Sequence, residues 1–296
     1  MNPVALVNII ESERRAIRFG SGVLNRVAPL FFRPRLQTVI KMDRIGLGGF
    51  RVVIPLTSTG WSQVNDETRQ KLFRQSLGVC SNNNLALIAV NRGLSEDLDL
   101  NHKLHTGDYL ITTLALLKTE LIAERMITRR VVIAGADLPF FQLARLMQER
   151  YQIPVTLQSM KPAELEAEAS RMLYRDGIPL TIAPFNPQSW AQKDIIIFFH
   201  EYYAYWGELY GLGAKVNLCN NSTGHAPLLE EELKNSGINP TLENLAPLLE
   251  THILGSEEGV LSEMIECVED KGKEVFFYFL DKDFVGPYNT LKGLWS

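Results

Sequence analysis

The segment from His200 to Trp206 (HEYYAYW) places an imidazole ahead of several large aromatic side chains. A strand-like apolar run ends directly before it, and doubly wound sheets place their chemistry at the carboxyl ends of such strands. Because the ordinary pKa of histidine lies near neutrality, His200 could act as a catalytic acid or base. The alternative is a histidine at the end of a strand with no catalytic role.

Three aromatic residues of this segment, Tyr202, Tyr203 and Trp206, are candidate contacts for a substrate or a partner. They could stack on a planar ligand or line a tunnel for an acyl chain. They could equally pack between domains or form the interface of a homodimer, where tyrosine and tryptophan are enriched. Asn220, in a polar run after a later strand-like segment, suits hydrogen bonds to a small polar ligand, and it also suits an ordinary turn.

His102, His105 and Asp108 form an H-x-x-H-x-x-D array that could bring two imidazoles and a carboxylate together on a metal ion. The same residues are consistent with a surface loop entering a helix, and we predict no metal site. The three cysteines are an odd number without the spacing of a metal site, which favours a reducing compartment. Cys219 lies within an apolar strand and is interpreted as a buried side chain rather than a nucleophile.

The composition of the 296 residues, 46% hydrophobic and 22% charged, is typical of a globular protein. It excludes collagen, a disordered chain and a small disulfide scaffold. The formal net charge of -4 provides no overall positive field to attract nucleic acid or an anionic membrane. No apolar run approaches the roughly 20 residues of a membrane span, and the N-terminus lacks the order of a signal peptide. We therefore expect a cytoplasmic protein without nucleic-acid or membrane partners.

The second half of the chain alternates short apolar runs with amphipathic segments. The runs predict strands at Val131–Gly135, Ile153–Leu157, Pro179–Ala183, Asp194–Phe199 and Lys215–Cys219, and the segments between them predict helices at Leu138–Tyr151 and Pro162–Arg175. Continuous apolar strands indicate a sheet that is covered on both faces. The predicted fold class is therefore α/β, with a Rossmann-like doubly wound parallel sheet.

The rest of the chain predicts a smaller N-terminal α/β domain and a helical C-terminal segment. Predicted are helices at Pro3–Phe32, Ser62–Leu77 and Tyr109–Met126, strands at Thr38–Ile45, Phe50–Leu56 and Leu85–Val90, and later helices at Ala226–Asn235, Thr241–His252 and Val260–Lys271. Glu274–Leu280 suits either an edge strand or a buried helical turn.

The predicted domain boundaries follow from these elements. The N-terminal domain is placed at 1–104, and the Rossmann-like domain, entered by the long helix, at 105–240. The segment at 241–296 is expected to pack back on the N-terminal domain. A cleft between the two domains is the expected site of a small-molecule ligand.

The turn after the first Rossmann-like strand decides whether a dinucleotide can bind. Such a turn needs the pattern G-x-G-x-x-G, so that the backbone can approach the pyrophosphate at the start of a helix. Here it reads GADLPFF from Gly135 to Phe141, so Gly135 and Ala136 are what remains of a cofactor-binding turn. Leu138 and Phe141 are expected to collide with a phosphate or with the sheet. Asp137 is predicted to cap the helix, with a proline in its first turn, which would oppose a phosphate electrostatically.

The end of the second Rossmann-like strand carries the remaining cofactor signal. No acidic residue stands there to accept the ribose hydroxyls of NAD, and Lys161 is the sole candidate to bind a 2′-phosphate. The alternative is a lysine that is simply solvated. NADP is the cofactor that these residues would allow, unless the altered turn has removed cofactor binding altogether.

Phe50–Pro55 (FRVVIP), Ala89–Asn91 (AVN) and His105–Asp108 (HTGD) follow one another along the first half of the chain. In this order they resemble the NVTIPHK, AVNT and NTDG motifs of shikimate dehydrogenases. Leu47–Phe50 (LGGF), with the same HTGD, also resembles the LGGF and TTGN motifs of long-chain acyl carrier protein reductases. The resemblance extends over about residues 46–235.

The resemblance implies a diverged NAD(P)-dependent reductase or dehydrogenase that acts on a carbonyl or hydroxyl of a small or acyl substrate. In that hypothesis Asn91 and Asp108 orient the substrate, and His200 is the catalytic acid or base. The catalytic lysine of shikimate dehydrogenases falls at Thr57, however, and the cysteine nucleophile of the reductases is absent from Thr241–Glu250. The alternative hypothesis is a non-catalytic Rossmann-like protein that has lost the dinucleotide site and binds a metabolite or a protein partner.

Overall fold

The structure is a computed structural model that describes residues 3–10, 20–95, 98, 104–210, 212–257 and 259–280. Its strands are β1 (Val4–Ile10), β2 (Arg35–Met42), β3 (Leu47–Thr57), β4 (Leu87–Val90), β5 (Arg130–Ala134), β6 (Val155–Ser159), β7 (Thr181–Pro184), β8 (Asp194–Phe198) and β9 (Ala214–Asn217). Its helices are α1 (Ser21–Phe31), α2 (Ser58–Gln63), α3 (Asp66–Asn82), α4 (Arg92–Ser95), α5 (Asp108–Ala123), α6 (Phe140–Tyr151), α7 (Pro162–Asp176), α8 (Glu201–Tyr210), α9 (Pro227–Asn235), α10 (Leu242–Leu254), α11 (Leu261–Lys271) and α12 (Lys273–Leu280). Among these helices, none is long and apolar enough to cross a membrane.

The chain divides into two compact units. The first, here called the N-terminal unit, comprises Met1–Asp108 and Thr223–Ser296, and the second, the Rossmann-like unit, comprises Tyr109–Ser222. Residues 223–240, including α9, therefore group with the N-terminal unit, whereas the sequence placed them in the Rossmann-like domain. Within the N-terminal unit, α10 packs on β1 and β4.

The N-terminal unit contains a four-stranded sheet in the order β2-β3-β1-β4. Strand β1 runs parallel to β3 and β4, and β2 runs antiparallel to β3. The predicted helix at Pro3–Phe32 is wrong at its start, because Val4–Ile10 is the strand β1. Its residues from Val4 to Asn8 are buried, as a central strand requires, and the spacing of Val4, Val7 and Ile10 only mimics a helical period. A Cβ at Gly49 would lie 2.1 Å from the Val4 carbonyl oxygen, so glycine permits this close pairing.

Three further observations concern helices. The single helix expected at Ser62–Leu77 is split into α2 and α3, because Asn65 caps α3 by accepting a hydrogen bond from the Thr68 N–H. Residues 273–280 form the helix α12, so of the two alternatives for Glu274–Leu280 the structure has the helical one. The aromatic segment after His200 forms the helix α8, where the sequence analysis predicts neither a helix nor a strand.

The Rossmann-like unit contains a five-stranded, wholly parallel sheet in the order β7-β6-β5-β8-β9. The first strand of the unit, β5, is central, the next two lie on one side of it, and the last two lie on the other. This is the order of a Rossmann-type half, with its switch point between β5 and β8. The predicted α/β class with a doubly wound parallel sheet is confirmed.

Helix α8 packs closely on one face of this sheet. Val132, Ala134, Ile196 and Phe198 project from that face into a cluster with aromatic side chains of α8. A Cβ at Gly207 would lie 2.5 Å from Cζ of Phe198, so glycine at this position lets α8 approach β8. The close approach brings the first turn of α8 to the carboxyl end of β5.

A buried carboxylate joins β5 and β8 at their amino-terminal ends, the ends away from the first turn of α8. Asp194, the first residue of β8, is fully buried and accepts two hydrogen bonds of 2.7 Å from the Arg129 guanidinium. Arg130, its neighbour across the β5–β8 pair, donates a further bond of 3.1 Å. These charge-assisted bonds connect β5 and β8 and favour the observed register.

Candidate functional site

A cavity of about 600 Å³ lies at the carboxyl ends of β5, β6 and β8 in the Rossmann-like unit, beside the switch point. We call it the turn cavity. It brings together six of the predicted site residues, namely Gly135, Ala136, Asp137, Lys161, His200 and Tyr203. The structure adds six residues that sequence reasoning did not assign to a site: Leu138, Pro139, Ser159, Met160, Glu164 and Leu165.

The ring of Tyr203 covers the turn after β5. A Cβ added to Gly135 would lie 1.9 Å from Cε2 and 2.1 Å from Cδ2 of that ring. Gly135 has a φ of +78°, so it is required both by its backbone conformation and by the ring. In dinucleotide-binding Rossmann folds, the backbone of this turn approaches the pyrophosphate. Here the Tyr203 ring lies against the first residue of that turn, and the ring of Phe185 packs against Tyr203 from another side, with centroids 4.8 Å apart.

The backbone N–H groups at the start of the turn are already used. Those of Gly135 and Ala136 both donate to the Gln158 carbonyl oxygen on the neighbouring strand β6, each at 2.8 Å. An anion at a Rossmann turn is held chiefly by free N–H groups. Two of the donors that could hold a phosphate here are therefore engaged within the sheet.

The start of α6 is also unsuited to a phosphate. The N–H groups of Phe140 and Phe141 donate to the Asp137 and Leu138 carbonyl oxygens, and Pro139 has no N–H. The prediction that Asp137 caps α6 is wrong, because the helix begins only at Phe140 and no side chain caps it. Asp137 instead lies in the turn before the helix and lines the cavity.

The end of β6 does not supply a ribose or 2′-phosphate site either. Gln158 is buried, and its side-chain oxygen accepts a hydrogen bond of 2.9 Å from the Trp190 indole. The Ser159 hydroxyl accepts from the Lys161 backbone N–H. The Lys161 ammonium lies 3.2 Å from a Glu164 carboxylate oxygen. The cavity wall therefore carries two carboxylates, those of Asp137 and Glu164, and the ammonium of Lys161 is paired with one of them. Together with the covered turn, these residues do not fit a dinucleotide.

Asp137, His200 and Tyr203 interact electrostatically across the turn cavity. The pKa of Asp137 is raised because neighbouring atoms restrict its hydration, and the charge of His200 opposes this rise. The pKa of Tyr203 is raised by its partial burial and further by the nearby Tyr202 and Asp137. The His200 ring contacts Tyr203 edge-on, with centroids 6.2 Å apart, and the His200 carbonyl accepts the first hydrogen bonds of α8. A carboxylate, an imidazole and a phenol thus meet at one cavity.

The other aromatic residues of α8 play different parts. Tyr202 is 56% exposed. The indole of Trp206 packs within the unit against Tyr210, with ring centroids 5.8 Å apart. Asn220 follows β9 in a turn and does not line the turn cavity. Roles for Tyr202, Trp206 and Asn220 in binding a substrate or a partner stay predictions.

Asn91 and Asp108 belong to the N-terminal unit. The Asn91 side chain is buried, donates to the Asn244 side-chain oxygen at 2.8 Å, and accepts from the Leu94 N–H at 3.3 Å. The Asp108 carboxylate at the start of α5 lies 3.1 Å from the Arg92 guanidinium. Each residue therefore has protein partners of its own, and their role in orienting a substrate stays a prediction.

The structure describes two residues of the H-x-x-H-x-x-D array, His105 and Asp108, and each has different partners. His102 lies outside the described residues. His105 is buried, with Nε2 2.8 Å from the Gly255 carbonyl oxygen and Nδ1 3.5 Å from the Glu250 carboxylate. Within the described ranges, no three histidine, cysteine, aspartate or glutamate side chains are grouped to hold a metal ion. His105 instead joins α10 to the N-terminal sheet.

Cys219 is buried, as its apolar surroundings in the sequence predict. Its side chain is 2% exposed, and burial raises the pKa of its thiol to about 12. A thiol with so high a pKa is protonated at neutral pH and is a poor nucleophile.

No protein-family model and no curated protein matches the chain. Among solved structures it is similar to L-tryptophan dehydrogenase from Nostoc punctiforme, at 14% identity over 91% of this chain and 80% of that chain, with a TM-score of 0.43. It is also similar to a chorismate mutase/shikimate 5-dehydrogenase fusion protein from Clostridium acetobutylicum (12% identity, 92% of this chain, 100% of that chain, TM-score 0.38). A third similar structure is shikimate 5-dehydrogenase from Thermus thermophilus (12% identity, 92% of this chain, 100% of that chain, TM-score 0.37). The predicted distant resemblance to shikimate dehydrogenases is confirmed to that extent. A resemblance to acyl carrier protein reductases stays a prediction.

Sequence reasoning identified most residues of the turn cavity but missed the contact that defines it. Tyr203 was a candidate ligand contact, and Gly135 a remnant of a phosphate turn. Nothing in the order of residues places one against the other. Gly207 was the available signal, because a glycine inside a helix often marks a close approach to a neighbouring element.

Proposed function

We propose that this protein binds a small ligand in the turn cavity and does not use a dinucleotide cofactor. The observation that carries the proposal is the Tyr203 ring packed against Gly135, the first residue of the turn that would hold a pyrophosphate. The engaged N–H groups of the turn and the pairing of Lys161 with Glu164 support it. In this proposal Asp137, Tyr203 and His200 form the polar part of the binding surface.

The oxidoreductase hypothesis makes the opposite prediction. It requires the chain to bind NADP(H), as the solved structure of shikimate 5-dehydrogenase from Thermus thermophilus does. His200, Asn91 and Asp108 would then serve the reaction. Cofactor binding therefore separates the two hypotheses.

The first test measures the melting temperature of the full-length protein with NADPH and with NADH. A cofactor present at about 100 times its Kd would stabilise the folded state by about 2.7 kcal/mol, which shifts the midpoint by several degrees. We expect no shift with either nucleotide at about 1 mM, which is roughly 100 times a Kd of about 10 µM. A shift of that size in the wild-type protein would contradict the proposal.

The second test asks which residues exclude the cofactor. The double variant Asp137→Gly/Leu138→Gly restores small residues in the turn, but Tyr203 still covers it, so we expect no nucleotide-dependent shift. Adding Tyr203→Ala should produce one. Adding Tyr202→Ala instead is the matched control, because this neighbouring tyrosine is exposed and does not line the cavity. A shift in the double variant alone, or none in a folded triple variant, would show that Tyr203 does not control access.

A further inference from the structure

The charged residues around the turn cavity are unevenly balanced. Its wall carries the carboxylates of Asp137 and Glu164 and the ammonium of Lys161. The ammonium is already 3.2 Å from Glu164. Asp137 forms no ion pair with any residue that the structure describes, although His200 lies near enough to influence its charge. Asp137 thus forms no ion pair with a described lysine or arginine, and His200 is the nearby group whose charge acts on it.

The surroundings of that carboxylate are those of a binding surface for a cation. The Tyr203 side chain lies close enough to Asp137 for that carboxylate to contribute to the raised pKa of Tyr203, after partial burial and Tyr202. Its aromatic ring lines the same cavity, and the face of a tyrosine ring attracts an ammonium or guanidinium group. Restricted hydration of the Asp137 carboxylate raises its pKa, so a positive charge beside it would be stabilised more than at an open surface.

The remaining wall of the cavity is largely apolar. Leu138, Pro139, Met160 and Leu165 line it, and its volume of about 600 Å³ is within the range of small-molecule sites. An apolar group could therefore pack there while a charged group meets Asp137. An anionic group would face an excess of negative charge.

We infer that the turn cavity selects a small organic cation, an amine attached to an apolar or aromatic group, with Asp137 binding the ammonium group and Tyr203 contacting it through its ring. This inference rests on the proposed function and specifies its ligand class. It assigns Asp137 to cation binding, in place of the cofactor-binding role that the sequence suggested.

The test uses three compounds that share a phenyl group and a short chain but differ in charge: phenethylamine, phenethyl alcohol and hydrocinnamate. Isothermal titration of the full-length protein measures the Kd of each. We expect the amine to bind about tenfold more tightly than the alcohol, as one charge-assisted hydrogen bond implies, and hydrocinnamate to bind most weakly.

Asp137→Asn keeps the shape of the side chain and removes its charge. We expect it to weaken binding of phenethylamine about tenfold, to the level of the alcohol, and to leave the alcohol unchanged. Glu208→Gln is the matched control, because Glu208 is an exposed carboxylate of α8 that does not line the cavity. It should leave all three dissociation constants unchanged.

The outcomes distinguish this inference from the proposed function. If phenethylamine does not bind, binds no better than the alcohol, or is unaffected by Asp137→Asn, the preference for cations is wrong. Charge-independent binding of the compounds would still agree with a small-ligand cavity. NADPH is titrated into the wild-type protein as a fourth compound, and tight binding of it would instead overturn the proposed function itself.

Discussion

Replacing Gly135 by alanine tests directly whether Tyr203 closes the turn after β5. The new Cβ would lie 1.9 and 2.1 Å from two carbons of the Tyr203 ring, far inside van der Waals contact, so the ring must move. The backbone at Gly135 also has a φ of +78°, which an alanine adopts only with strain. Two separate penalties therefore act on one substitution.

The expected size of each penalty follows from these two observations. A left-handed backbone costs a residue with a Cβ about 1–2 kcal/mol. Forcing an extra carbon into a packed position costs about 1–3 kcal/mol more. Gly135→Ala should therefore lower the free energy of unfolding of the Rossmann-like unit by about 2–5 kcal/mol.

Gly177→Ala is the matched control for the backbone penalty. Gly177 ends α7 in the same unit with a φ of +70°, and a Cβ there would meet no atom within 4 Å. Its substitution should cost only about 1–2 kcal/mol. The variant Gly135→Ala/Tyr203→Ala supplies the second control, because removing the ring removes the collision but not the backbone strain.

Urea unfolding followed by tryptophan fluorescence measures these differences, since Trp190 and Trp206 both lie in the Rossmann-like unit. In the Tyr203→Ala background, Gly135→Ala should cost no more than Gly177→Ala costs in the wild type. The double-mutant cycle should then give a coupling free energy of about 1–3 kcal/mol between Gly135 and Tyr203. Equal costs for the two glycines in the wild type, or an excess that survives removal of Tyr203, would refute the reasoning.

The remaining predictions concern stability and pH. Asp194→Asn should lower the free energy of unfolding by about 2 kcal/mol, because it removes the buried charge that the half-exposed Arg129 binds. In the same urea assay, the exposed control Glu149→Gln should lower the free energy of unfolding by less than about 0.5 kcal/mol. Burial lowers the pKa of His105, but Glu250 and a backbone carbonyl together raise it above its ordinary value. The stability from protonated His105 is thus fully present below about pH 6.5 and is lost as the pH rises through the raised pKa. Urea unfolding between about pH 5 and pH 9 should show this fall in the wild type and a smaller one in His105→Gln; parallel curves would contradict the prediction.

The Rossmann-like unit could be predicted well because its strands are buried on both faces. Such strands are continuous apolar runs, and the amphipathic segments between them show a clear helical period. Helix α7, for example, was expected at Pro162–Arg175 and is observed at Pro162–Asp176. The same reasoning failed for β1, where apolar residues three positions apart suggested a helix. A strand that is buried on both faces shows no alternation of apolar and polar residues, so its apolar residues can also match the spacing of a helix.

Helix α8 was missed for a different reason. Its sequence is dominated by tyrosine and tryptophan, which have only moderate helix propensity. Its aromatic side chains pack on the sheet and on one another, so tertiary contacts stabilise the helix more than local preference does. The consequence for the site is large, because α8 carries Tyr203 to Gly135.

The site could be predicted as a set of residues but not as an arrangement. Gly135, Asp137, His200 and Tyr203 were all singled out from the sequence, and strand ends explain why most of them meet. The role of Asp137 was misjudged, because a residue before a helix is a common cap. Two more residues of irregular turn before α6, Leu138 and Pro139, placed Asp137 on the wall of the cavity instead of at a helix cap.

The features that exclude a dinucleotide are independent of one another, and this bears on which hypothesis is stronger. Tyr203 covers the turn through tertiary packing, the strand β6 engages the N–H groups of Gly135 and Ala136, and Glu164 lies 3.2 Å from Lys161. We expect Tyr203 to be decisive among them, because it alone covers the turn, whereas the other two features only lower the affinity for a nucleotide. A cofactor site would therefore require changes at Tyr203 and in the turn together, whereas a cation site uses the carboxylate and the ring as they stand. The arrangement that opposes a pyrophosphate is the one that favours a positive charge.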